Sequence, residues 1–371
     1  MASGSNKFAG LDVDDTEPTS AASAAGADPA KAAKNKKKKS KKKEKKQADR
    51  SEKARQLMQD LEPGFMGSLT PEMETALKEF KAKFAAQIAE FKLTDHDCLR
   101  YLRGRDFAVA EAGNLMLKAE RWRAEYRPQE IPITDCAYWL EGQVSMHCEA
   151  RDRKGRPILL TRVQHWSKKD TNYGAGIIMY CIERSINQLM TPGQVESFTY
   201  IFDNTNFSWL QADNGVIFTM LKMFKEVYIE RCGALIIMNA PWIFGAFWNL
   251  VKGWLDARTA SKVIFLGGDY KEKIQLFVDP SQLPPDLGGT FQSNAKAWTR
   301  PELRKAGIDL PDSQALERPK DMSAILRAII KGAPAEAAAP PTPSPDAVAA
   351  LSAGHSGGFV GDDDDDDDAD E

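Results

Sequence analysis

The chain has 371 residues and a formal net charge of −3, from 50 Lys and Arg against 53 Asp and Glu. No segment reaches the ~20 apolar residues of a membrane-spanning helix. The five cysteines (98, 136, 148, 181 and 232) are odd in number and form no Cys-x-x-Cys pair, which argues against a disulfide framework and for reduced thiols in the cytosol or nucleus.

The near-neutral sum hides two opposite poles. Eleven lysines lie between Lys31 and Lys46, and from Asp362 to Glu371 every residue except Ala369 is acidic. Runs of like charge repel themselves, and the Ala/Ser/Gly/Pro-rich stretches beside them carry too little apolar surface to offset the entropy of ordering. Residues 1–62 are therefore expected to form a disordered arm with a polylysine run. Residues 299–371 are expected to form a mostly disordered arm with an acidic tail, leaving a folded middle that ends near Trp298. No signal peptide is read at Met1.

The folded part opens with "TPEMETALKEFKAKFAAQIAEF", where Thr70 is a candidate N-cap and Pro71 suits the first helical position. Leu77, Phe80, Phe84, Ile88 and Phe91 recur at helical spacing. "DHDCLRYLRGRDF" and "VAEAGNLMLKAERWRAEY" follow, broken at Gly104, so residues 63–130 read as a small helical module. After Pro132 the pattern changes. "RPILLTRV", "ESFTYIFDNTN", "GALIIMNAP" and "SKVIFLGG" are apolar runs of strand length, the first after the turn Arg153-Lys154-Gly155. They alternate with helical stretches at 174–190, 214–228 and 242–255. This order predicts an α/β fold over 131–298: a mostly parallel sheet covered by helices.

The strand–helix–strand unit 234–267 has a further consequence. If its two strands are neighbours, their starts lie about 4.8 Å apart at one edge of the sheet. Glu230 and Arg231 then meet Lys262, with Asp256 and Thr259 approaching from the crossover helix. By pattern alone, an ion pair stabilising two strand ends is the simpler reading. The crossover itself, "NAPWIFGAFWNLVKGWLD", holds three tryptophans and two phenylalanines. Its apolar side covers roughly 160° of a helix, more than a core contact uses. Either it is buried on two sides, or it covers something apolar and also touches a membrane surface.

The order and spacing of "CLRYLRGRDFAVAEA…ERWR", "YIERCGALIIMNAPWIFGAFWNLVKGWLDARTASKVIFLGG" and "LPPDLGGT" resemble the CRAL-TRIO lipid-binding family over residues 63–295. The branch they resemble is that of the yeast-type phosphatidylinositol/phosphatidylcholine transfer proteins. The resemblance implies a cavity for one lipid around the sheet, closed by a gate helix at Trp242, Phe244, Phe247, Trp248, Val251, Trp254 and Leu255. It also implies an inositol-phosphate site of Arg105, Glu230, Arg231, Thr259 and Lys262, and it weights the strand-edge cluster toward ligand binding. Lys262 and Arg105 would carry the phosphate, Thr259 would offer a hydroxyl, and Glu230 would orient Lys262 or accept from inositol hydroxyls. Phe198 and Tyr200 stand where the family's phosphatidylcholine-binding members carry small hydroxyl residues. They are the candidate contacts of a second lipid, whose identity is open between phosphatidylcholine, a sterol and another hydrophobe. Asp106 stands where the family has a basic residue.

The sequence carries no G-x-S-x-G motif, no Walker lysine, no complete dinucleotide fingerprint and no histidine at metal-ligand spacing. The expectation is a carrier with no catalytic residue, metal or cofactor other than the bound lipid. It would be cytoplasmic and transiently at anionic membranes, exchanging phosphatidylinositol for a second lipid, with lipid kinases as candidate partners. The lysine run fits attraction to anionic lipid or a nuclear address. It lacks the interleaved aromatic and arginine residues of base recognition, so specific nucleic-acid binding is not expected. The rival readings are an interaction or scaffold module that moves no lipid and a nuclear, nucleic-acid-associated protein acting through the lysine run. No heptad seam points to an oligomeric state.

Overall fold

A computed structural model describes residues 63–332, apart from 208–213, 241–243, 245–247, 249–256 and 293. All of these belong to one compact unit that begins at Ala54. The predicted arm 1–62, the tail 333–371 and most of the gate lie outside the described residues.

The helical module is α1 (Pro71–Lys83), α2 (Ala85–Glu90), α3 (Asp95–Arg103) and α4 (Val109–Tyr126). Thr70 caps α1 by accepting from the Met73 N–H, and Pro71 holds the first position. Thr94 and Asp97 cap α3 reciprocally, satisfying two orphan donors at once. The long opening helix expected from the sequence is divided at Phe84, whose backbone leaves the α region. The module's core joins Phe80, Leu99, Leu102, Leu115 and Met116 with one residue from far along the chain, Ile229.

After α5 (Ala137–Glu141), the second part is built on five strands: β1 (Ser145–Arg151), β2 (Pro157–Arg162), β3 (Phe198–Asp203), β4 (Cys232–Met238) and β5 (Val263–Leu266). They lie in sheet order β1-β2-β3-β4-β5. Strand β1 is antiparallel to β2, and the other pairs are parallel. The mixed α/β architecture with a mostly parallel sheet is the one expected. The sequence reading omitted β1, which pairs through the turn that ends at Gly155 (φ 76°).

The sheet has two different faces. Ile158, Leu160, Ile201, Ile236, Met238 and Leu266 point to a core closed by the segment from Ile274 to Leu287. On the other face, Leu159, Phe198 and Tyr200 are enclosed by α6 (Thr171–Arg184) and α7 (Asn214–Glu226). The register places Tyr200 beside Leu235, Phe202 beside Ile237, Leu235 beside Val263 and Ile237 beside Phe265. Phe202, Leu235, Ile237, Val263 and Phe265 therefore continue that second face, and all five are only half-buried.

One boundary is corrected. The fold does not end near Trp298: α10 (Lys296–Lys305) and α11 (Ala324–Gly332) pack onto it. They follow two short helices, α8 (Ala257–Ser261) and α9 (Tyr270–Lys273). Glu141 receives the Thr299 hydroxyl at 2.6 Å and the Arg300 guanidinium at 2.7 and 2.8 Å. Leu326 and Ile329 are fully buried. Leu326 fits because residue 176 is glycine; a Cβ there would stand 2.3 Å from Leu326 Cδ1. Arg and Glu bonded across some 159 positions leave no local trace in sequence composition.

Candidate functional site

The start edge of β4 and β5 gathers a charged group. Lys262, immediately before β5, donates from Nζ to Glu230 Oε2 at 2.9 Å. Arg258, on α8, donates from Nε to the same oxygen at 3.2 Å. Neither bond falls on Oε1. The Glu230 side chain is 8% exposed, that of Lys262 11% and that of Arg258 29%. Burial alone would raise the Glu230 carboxyl; Lys262 and Arg258, with a smaller pull from Arg103, hold it below its ordinary value of 4.5.

Local structure explains how Glu230 reaches this place. Tyr228 and Ile229 are buried on opposite cores, Tyr228 beneath the sheet helices and Ile229 within the helical module. Between these anchors and β4, Glu230 takes a left-handed backbone (φ 56°), which costs a non-glycine residue roughly 1–2 kcal/mol. The Ile229 carbonyl accepts from Arg100 Nη1 at 3.3 Å. Gly104 makes room for the plug: a Cβ there would lie 2.5 Å from Ile229 Cγ2. Two packed cores thus hold the strained turn in register.

The structure distributes the five residues of the expected headgroup site unevenly. Glu230 and Lys262 are in contact. Thr259 is half-buried on α8, and its carbonyl accepts from the Lys262 N–H at 3.1 Å. Arg231 turns toward the helical module, donating to the Glu196 carbonyl at 3.0 Å and approaching Asp97 Oδ1 at 3.6 Å. Burial and the nearby Arg100 push its guanidinium down to about 9, still charged at neutral pH. Arg105 is half-buried and donates to the Gly104 carbonyl at 2.6 Å. Among the described residues it makes no ion pair with Glu230.

Two cations here were missed in the sequence. Arg258 has no signal of its own beyond lying one helical turn before Lys262. Arg103 is fully buried, bonded to Glu196 Oε2 at 2.8 Å and to the Gly64 carbonyl at 3.1 Å, and stacked over the Phe65 ring at 3.7 Å. Glu196 also takes His96 Nδ1 at 2.9 Å.

Of the gate residues, Phe244 and Trp248 are described. Both are helical and half-buried. Trp248 meets Phe265 edge-on, with ring centroids 5.4 Å apart, and Phe244 meets Phe207 at 5.5 Å. Trp242, Phe247, Val251, Trp254 and Leu255 lie outside the described residues. Phe198 and Tyr200 sit in the enclosed part of the sheet face. Phe198 packs against Phe224 at 6.1 Å, and the Tyr200 hydroxyl shares a 2.8 Å bond with Thr161. Among the described residues, no group of three or more His, Cys, Asp or Glu is placed to hold a metal ion, and no helix is long and apolar enough to cross a membrane.

A half-covered apolar sheet face thus lies beside a buried acid–base cluster. Residues 143–289 match the CRAL/TRIO domain. It is similar to the phosphatidylinositol/phosphatidylcholine transfer protein SFH9 of Arabidopsis thaliana, 26% identical over 260 residues that cover 61% of this chain and 43% of the plant protein. It is also similar to the phosphatidylinositol transfer protein CSR1 of Eremothecium gossypii, 28% identical over 225 residues that cover 56% of this chain and 50% of the fungal protein. The chain thus spans half or less of the length of these relatives. Its fold matches the crystal structure of Sfh5 with a TM-score of 0.51 and 15% identity, over 67% of this chain and 94% of that one.

Proposed function

We propose that the protein extracts, carries and presents phosphatidylinositol, exchanging it against a second hydrophobic lipid, and that it does so without catalysis. The observation that carries this reading is the asymmetry of one sheet face. Leu159, Phe198 and Tyr200 are closed over by helices, whereas Phe202, Leu235, Ile237, Val263 and Phe265 stay half-buried side by side. A row of five large apolar residues left partly uncovered suits acyl chains, whose burial is worth about 0.8 kcal/mol per CH₂. Trp248, against Phe265, stands where a cover for those chains belongs.

The headgroup would lie at the strand starts. Lys262 offers a cation for the phosphodiester, and the Glu230 carboxylate offers acceptor oxygens for inositol hydroxyls. The similarity to proteins named for phosphatidylinositol transfer supports the same ligand. The working locations would be the cytoplasm and, transiently, anionic membrane surfaces. The lysines between Lys31 and Lys46 favour such surfaces by up to about 1 kcal/mol each.

Mass spectrometry of lipids co-purified with the full chain tests the reading, followed by transfer of labelled phosphatidylinositol between vesicles. Phosphatidylinositol is expected in both. A protein that holds no lipid and moves none between vesicles is a scaffold, and the carrier reading is then wrong.

A further inference from the structure

The helical module carries an open groove of about 650 Å³ between α1 and the start of α4. On α1 its lining residues recur three and four apart from Glu72 to Lys83, one face of the helix over about 16 Å. The floor is apolar: Ala76, Phe107 and Val109 are half-buried. Exposed Glu72, Glu79 and Glu111 border it against a single cation, Lys83.

The chain enters the fold beside this groove. Gly64 is buried, and its carbonyl accepts from Arg103 Nη1 at 3.1 Å. A Cβ on Gly64 would lie 3.1 Å from Phe107 Cζ, so the entering backbone touches a floor residue. Leu61 precedes Gly64 closely enough to lie within about 10 Å of it along the chain. Upstream, Ala54, Leu57, Met58 and Leu61 recur at i, i+3, i+4 and i+7, an apolar stripe roughly 100° wide on a helix. Residues 54–61 would make about 12 Å of helix, which fits the length of the groove. Arg55 flanks the stripe and complements a border with excess acid. Ala54 is also the first residue of the compact unit.

We propose that residues 54–61 of this chain dock in the groove as a short amphipathic helix, with Leu57, Met58 and Leu61 over Ala76, Phe107 and Val109. The inference does not depend on the carrier reading. Its functional consequence is local. Phe107 and Asp106 both hold left-handed backbone, at φ 63° and 46°, and the docked segment braces this turn, in which Arg105 lies.

The test uses the full chain with a photo-reactive benzophenone amino acid in place of Leu57, followed by peptide mapping of the cross-linked product. Cross-links within one chain to residues 71–83 or 107–111 are expected. The same group in place of Gln59, on the opposite side of the helix, should give a much lower yield. The double variant Leu57→Ser, Leu61→Ser should speed amide exchange in α1 about tenfold and leave β3 unchanged.

A product of twice the chain mass overturns the inference, because the occupant is then a second copy. Cross-links elsewhere in the chain, or none, also overturn it. Equal yields from positions 57 and 59 do the same, since they would report nearness without a docked face. Unchanged exchange in α1 of the double variant shows that nothing apolar is seated there, and the groove is then open in solution.

Discussion

The two halves of one sheet face differ in a way that separates folding from binding. The half over β2 and the first part of β3 is filled: Phe198 is fully buried and Tyr200 4% exposed, and the Tyr200 hydroxyl is satisfied by Thr161. The half over β4 and β5 continues the same apolar pattern in register but is covered only in part. Equal hydrophobicity thus has two uses. The closed half contributes to stability, whereas the half-covered one is, under the proposed function, the surface that receives acyl chains.

Substitutions can break this comparison. Phe198→Ala should be the costliest, about 3–5 kcal/mol by chemical denaturation, because it leaves a cavity beneath α6 and α7. Gly104→Ala follows, at about 1–3 kcal/mol, because its Cβ collides with Ile229. It should also weaken phosphatidylinositol uptake, since Ile229 sets the turn that presents Glu230. Phe265→Ala should cost only about 1 kcal/mol of stability, as its side chain is half-buried, yet lower the amount of co-purified lipid. If Phe265→Ala destabilises as much as Phe198→Ala, the two halves are one packed core and the comparison fails.

Lys262→Ala sharpens the comparison at the charged edge. Arg258 remains on Glu230, so the expected stability loss is about 1 kcal/mol or less, with reduced phosphatidylinositol uptake and unchanged uptake of a zwitterionic lipid. The smallest effect concerns pH. The Glu230 carboxyl is depressed in the folded state, so its contribution to stability is present above the ordinary value of 4.5 and is lost as pH falls through the lower folded value. Denaturation midpoints should hold steady at neutral pH and decline below about 4.5, and Glu230→Gln should make that acid decline shallower.

Much of this was legible in sequence because it depends on short-range rules. The continuous apolar runs locate β2 to β5, and the strand–helix–strand pattern alone brings Glu230 near Lys262. Strand β1 was not legible: "SMHCEAR" mixes polar and apolar residues because it lies at the sheet edge, beside one partner only. Nor was the closing segment after Trp298. "AILRAIIKG" has a helical apolar stripe, but it lies beside a Pro- and Ala-rich tail, and its receiving groove at Gly176 is far away in the chain. The direction of Arg231 escaped for the same reason. Adjacent residues in a left-handed turn diverge, so Glu230 goes to the sheet edge while Arg231 goes to Glu196 and Asp97.

The seat of Ile229 among Phe80, Leu99 and Met116 has a consequence for where the protein can be cut. The stretch that matches the CRAL/TRIO domain, residues 143–289, contains Glu230 and Lys262 but none of the module helices that seat Ile229 beside the Glu230 turn. A fragment trimmed to those limits would expose Ile229 to water and release the carboxylate from its post, so the smallest competent piece must begin upstream of Pro71.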